Sequence, residues 1–156
     1  MNFLRYLMSL SLVLWVGGIV FFISMAPILF AVLPSRHMAG SVVSPTLERL
    51  HWIGIVSGVV FLASSLAYSR MANGAIRAGM AANILVALML ALTCFSQFGL
   101  SPQLAAIRAE TTEINSAPPD VRAVFDALHL WSTRIEGGVL FMGLVAVYLV
   151  SRERAL

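Results

Sequence analysis

Long apolar runs broken by single arginines set the pattern of this chain. No charge falls between Arg5 and Arg36, between Arg49 and Arg70, or between Arg77 and Leu100. A helix needs about 20 apolar residues to cross a bilayer. The gaps between charges therefore predict helices over residues 4–33, 44–70, 76–100 and 120–152. Gly17-Gly18 and Pro27 inside the first run predict close packing and a kink, and Pro34-Ser35 ends it. Ser44-Pro45 reads as the start of the second helix, a serine cap with proline at the first helical position. Ala72-Asn73-Gly74 reads as a turn. Ser101-Pro102 reads as the opening of a short segment, residues 103–114, with Leu104, Ile107 and Ile114 in helical spacing along the membrane surface. Asp120 is the expected cap of the fourth helix. The expected fold class is all-α, an integral membrane four-helix bundle with a short surface helix between helices three and four, as one transmembrane domain over 1–156.

Composition agrees with this picture. The chain is 156 residues long, 60% hydrophobic and 11% charged. Soluble domains are about 45–50% apolar and about 25% charged, so an ordinary soluble globule and a disordered chain are excluded. All ten basic residues are Arg. They are scattered singly, which is not the clustered footprint of a nucleic-acid binder. The one cysteine, Cys94, excludes an intramolecular disulfide and a thiolate-rich metal site. Arg5 before an apolar run and Ser24-Met25-Ala26 imitate a signal peptide. The run continues to Leu33, however, and Pro27 would follow the cut. Residues 6–33 are therefore expected to stay as a transmembrane helix.

Four spans place both termini on one side. The arginine count on the two sides is nearly equal. The short Arg70–Arg77 connection carries no acid, whereas six of the seven acids fall on the other side. The expected orientation has both termini cytoplasmic, in a bacterial inner membrane. The fourth helix is unusual, because its clean apolar run covers only Gly137–Ser151. To span, it must carry Arg134 and Glu136 into or just beneath the interface. Ionisable residues at such depth face the bundle or a wet cavity.

Two acid-x-x-His units open the second and fourth helices, Glu48 with His51 and Asp126 with His129. Both helices run inward from the same face, with His129 roughly 6 Å further out than His51 at a rise of about 1.5 Å per residue. His129, Ser132, Glu136 and Gly143 share one helical face. Glu48, His51, Gly54 and Gly58 share another, and Gly54-x-x-x-Gly58 is a close-packing pattern. Asn83, Cys94 and Gln97 share a face of the third helix. The expected cluster is His51, Gln97, His129, Ser132, Arg134 and Glu136, with Glu48 and Asp126 at its rim. Arg134 is expected to orient or neutralise Glu136. Trp52 and Trp131 fall where an interfacial aromatic belt would.

Several chemistries fit these residues. A di-iron carboxylate centre also needs a Glu from each of the other two helices; helices one and three have none, so it is rejected. A metal ion bound by His51, His129 and Glu136 is one reading. Haem held between His51 and His129 is another. A third is purely structural: each His bonds a neighbouring carboxylate, the cluster locks the helices, and no cofactor or ligand is bound. The eight Met residues are scattered and read as packing. No phosphate-cradling loop, nucleophile elbow or HExxH pattern occurs. The expected partners are the lipid bilayer and a second copy or a partner membrane protein, not nucleic acid.

Leu14-Trp15-Val16-Gly17-Gly18, Ala26-Pro27-x-Leu29-Phe30 and Phe125-x-x-Leu128-His129-x-x-Ser132 resemble the transmembrane protein 205-like family. That family has four transmembrane helices and no assigned function. Glu136 stands where its pattern usually has Asn. A more distant similarity links the chain to copper-resistance membrane proteins of the CopD type and to haem-binding four-helix oxidases, both of which use membrane-embedded His. The resemblance implies a small integral membrane protein, and the distant similarity raises the metal or haem option. The residue cluster itself points to a protein that binds or helps move a metal ion or small ligand at an outer-leaflet His/carboxylate site.

Overall fold

The computed structural model describes residues 1–73, 81–111 and 114–152. The expected turn at Gly74, the start of the third helix at 76–80, residues 112–113 of the surface segment and Arg154 lie outside the described residues. Among the described residues the chain is all-α. Helix α1 is Asn2–Val32, α2 is Arg36–Asn73 and α3 is Ala81–Phe95. A π-helical turn, Ser96–Leu100, leads directly into α4, Ser101–Glu110. A 3₁₀ turn, Ile114–Ser116, precedes α5, Pro119–Arg152. Four helices are long and apolar enough to cross a membrane, with Ala81–Glu110 counting as one.

Three boundaries differ from the sequence reading. Helix α2 begins at Arg36, not at Ser44-Pro45, and Pro45 lies inside it. The cap is Ser35: its carbonyl accepts from the Ala39 amide at 3.1 Å, and its Oγ accepts from the Met38 amide at 3.1 Å. That geometry satisfies an otherwise orphaned first-turn donor. Leu33 is extended, with ψ at 143°, as the residue before a proline prefers. The three-residue link is therefore enough to reverse the chain.

The second difference is at Ser101-Pro102. These residues open α4, as the sequence predicts, but that helix follows the third span without a break. The π turn bridges the proline by placing the Ser101 amide on the Ser96 carbonyl, five residues back. Gln103 adds a side-chain donor to the Gly99 carbonyl at 2.8 Å. Wide turns of this kind restore backbone bonding where a regular ladder is broken. The third difference is small. Helix α5 starts at Pro119, so Asp120 lies in its first turn rather than at the cap.

The helices pack as a square in chain order. Helix α1 contacts α2 and α5, α3 contacts the same two, and α2 faces α5 across a diagonal. Trp15, only 1% exposed, sits in the groove left by Gly54 and Gly58. A Cβ on Gly54 would lie 2.5 Å from the Trp15 indole nitrogen, so only glycine fits. At Gly143 on α5, a Cβ would meet Val16 of α1 at 2.7 Å and Met89 of α3 at 3.1 Å. Close approach at such seats maximises dispersion contact, the main drive for association where lipid is as apolar as the side chains. Phe61, Val86, Met89 and Val139 complete the buried core.

Candidate functional site

His51 is the most enclosed polar ring of the bundle, 1% exposed. Its Nδ1 lies 2.8 Å from Gln97 Oε1, and its Nε2 lies 3.4 Å from Glu136 Oε2. Three elements thus meet at one imidazole: α2, the π turn after α3, and α5. The Glu136 contact crosses the diagonal of the square. Gln97 and Glu136 are themselves buried, at 8% and 9% exposure. Packing in the turn that carries Gln97 is therefore tied to α2 and α5 by polar contacts.

The Gln97 carbonyl on Nδ1 is satisfied when that nitrogen carries the ring hydrogen. Nε2 lies 3.4 Å from Glu136 Oε2 and makes no hydrogen bond among the described residues. A carboxylate at this depth is cheaper to bury beside a cationic partner than alone.

The other residues of the expected cluster divide into two groups. Ser132 is buried on the same face of α5, one turn before Glu136. His129 does not join His51: it stacks on Phe125, with ring centroids 6.2 Å apart and planes 4° from parallel. It lies seven residues before Glu136, roughly 10 Å along the helix. Arg134 does not pair with Glu136. It is exposed, and its guanidinium lies over the Trp131 ring at 5.8 Å. Glu48 and Asp126 are exposed. The two acid-x-x-His units are thus inequivalent: His51 is buried, and His129 is exposed. Trp52 and Trp131 are both exposed, as an interfacial belt requires, and Trp52 packs edge-on against Phe98 at 5.9 Å.

A cavity of about 430 Å³ connects these groups. Its walls are Phe22, Ile23, Ala26, Pro27 and Phe30 of α1, Val43, Ser44 and Leu47 of α2, Ser101, Leu104 and Arg108 of α4, and the α5 face from His129 to Gly137. The volume lies within the range of about 300–1,000 Å³ usual for small-molecule sites. Prolines border three of its walls: Pro27 lines it directly, and Ser44 and Ser101 precede Pro45 and Pro102. Proline breaks the regular ladder and its ring crowds the preceding turn, which keeps these stretches from closing on one another.

Depth in the cavity is consistent from helix to helix. Phe30, Arg108 and His129 also line a smaller recess with Arg36, His37, Phe125 and Asp126, at the end of the bundle remote from the termini. Phe22 and Glu136 line only the inner part. Sequence reasoning missed Arg108, because it placed residues 103–114 outside the bundle. Among the described residues, no three His, Cys, Asp or Glu side chains are grouped to hold a metal ion. His51 is fully enclosed, with Nδ1 on Gln97 and Nε2 3.4 Å from Glu136, so neither ring nitrogen faces the open part of the cavity.

The chain belongs to the family described as Domain of unknown function (DUF4149), which matches residues 10–113. The match includes His51, Gln97 and Arg108 and stops before α5 with Glu136 and His129. No curated protein and no solved structure matches the chain.

Proposed function

We propose that this membrane protein binds a small, mainly apolar molecule in the cavity between α1, α2, α4 and α5. The observation that carries the reading is the cavity itself: about 430 Å³, walled by α1 aromatics and aliphatics, with the buried Glu136 carboxylate at its inner end. Apolar walls with a few convergent polar groups are the usual form of a ligand site. Gln97, His51 and Glu136 act as the lock that holds the inner wall in place. Ser132 and Thr133 offer hydroxyl groups to the occupant. Metal ligation by His51, His129 and Glu136 is the weaker branch, since His51 is already engaged. The chain is read as a single bundle with both termini cytoplasmic, in a bacterial inner membrane, and the likeness of Leu14–Gly18 and Phe125–Ser132 to transmembrane protein 205-like proteins belongs to the same reading.

The test uses Gly137, which lines the cavity and has open space where a Cβ would stand. Gly137→Leu is expected to fill part of the cavity from a position whose Cβ meets nothing within 4 Å. The wild type, purified into neutral-lipid nanodiscs, is expected to carry a stoichiometric small molecule detectable by mass spectrometry of a solvent extract. The variant is expected to lose it while remaining folded. Equal extracts from both proteins would overturn the reading. A visible spectrum and metal analysis of the same sample check the haem and metal branches directly.

A further inference from the structure

We propose that the occupant is an amphiphilic anion, a chain with a carboxylate or phosphate head, and that Arg108 is its head-group ligand. This rests on the ligand-binding reading above and specifies the class of ligand. Arg108 stands where the cavity and the smaller recess meet, lining both. Its guanidinium is half-buried. It is held between the Phe125 ring, 5.2 Å away, and Gly40, where a Cβ would come to 3.4 Å from Nε. Among the described residues no carboxylate pairs with it. A half-buried guanidinium without an anion is costly, and its planar fork matches carboxylate and phosphate oxygens.

The surroundings have the same sign. Arg36 and His37 share the recess, and Arg36 is turned there by a 3.2 Å bond to Asn115 Oδ1. Among the described residues Asp126 is the one acid in the recess wall, and it is exposed. Clefts lined by one sign of charge concentrate the opposite ion. From His129 to Glu136 the cavity runs roughly 10 Å inward, past Phe30 and Phe22. A cationic mouth at the membrane surface and an apolar barrel beneath it fit a head and a chain in that order.

The probes are dodecanoate, dodecyl phosphate, dodecanol and inorganic phosphate, with binding measured on the full chain in phosphatidylcholine nanodiscs. Dodecanoate and dodecyl phosphate are expected to bind at least about tenfold more tightly than dodecanol, and inorganic phosphate more weakly than either anion. Arg108→Gln is expected to weaken the two amphiphilic anions about tenfold and leave dodecanol unchanged. Arg108→Lys, which keeps the charge, is expected to fall between, and it guards against a folding defect. Dodecanol binding as tightly as dodecanoate, or an unaltered anion affinity in Arg108→Gln, overturns the proposal while leaving the cavity reading intact. No binding of any chain overturns both. Nanodiscs containing phosphatidylglycerol separate the sources. Competition with dodecanoate assigns the site to a lipid head group, and its absence assigns it to a free acid, either outcome supporting the anionic site.

Discussion

Replacing His51 with Leu should expose how much the buried polar unit contributes. The side chains are close in volume, and His51 is 1% exposed, so the change creates little cavity and acts mainly through its partners. It removes the 2.8 Å contact to Gln97 and the 3.4 Å contact to Glu136. An orphaned buried acceptor costs about 1–3 kcal/mol, and breaking a buried pair about 3–5 kcal/mol. We expect His51→Leu to destabilise the bundle by about 3–4 kcal/mol. Glu136→Leu removes the 3.4 Å contact to Nε2 and should cost about 1–3 kcal/mol. Glu136→Gln should cost under about 1 kcal/mol, because its amide can donate to Nε2 while Nδ1–H still donates to Gln97. The assay is reversible unfolding in mixed micelles, with the His51→Leu/Glu136→Leu double variant closing a cycle. The pair should show a coupling above about 0.5 kcal/mol, the limit for independent sites. Additive effects within that limit, or Glu136→Gln as damaging as Glu136→Leu, would refute the coupling of His51 to Glu136.

Further variants probe the packing and the mouth. Gly54→Ala drives a methyl to 2.5 Å from the Trp15 indole and should cost about 1–3 kcal/mol in the same unfolding assay. Gly143→Ala, wedged between Val16 and Met89, should behave likewise, whereas Gly137→Ala meets nothing within 4 Å and should be tolerated. Gly40→Ala brings a methyl only to ordinary contact with Arg108 and should leave both stability and dodecanoate affinity unchanged, while the larger Gly40→Leu should displace the guanidinium and lower that affinity. Arg134→Gln should leave the melting temperature unaltered, since Arg134 is exposed and rests only on Trp131; a marked drop would restore a pairing with Glu136.

Much of this architecture is legible in the sequence because charge is so scarce. Each uninterrupted apolar run became part of a helix, and the shared face of Ser132, Glu136 and Gly143 follows from the 3.6-residue period alone. The same period brought His51, Gln97 and Glu136 to one depth, where the structure joins them. Proline is where the reading failed. Ser44-Pro45 has the form of a helix start, but the cap bond is made by Ser35, and a proline in the third turn is tolerated when its lost bond is the only cost. Ser101-Pro102 has the same form, and there a π turn absorbs it. Neither event has a local sequence signal, because each depends on what packs beside the helix.

The two failures share a physical consequence. Continuing α2 outward to Arg36 and the third span outward to Glu110 extends two walls beyond the span limits set by charge counting. Those extensions carry Arg36, His37, Gly40 and Arg108, the residues that make the mouth cationic. Without them, Glu136 and His129 read as part of a metal or haem site or as a structural lock. With them, the same face of α5 becomes one side of a cavity, polar at the rim, mainly apolar through its length, with Glu136 at its inner end. Prolines that break regular helix geometry border the chamber on α1, α2 and α4. The space and the chemistry around it thus arise from the same departures from an ideal bundle.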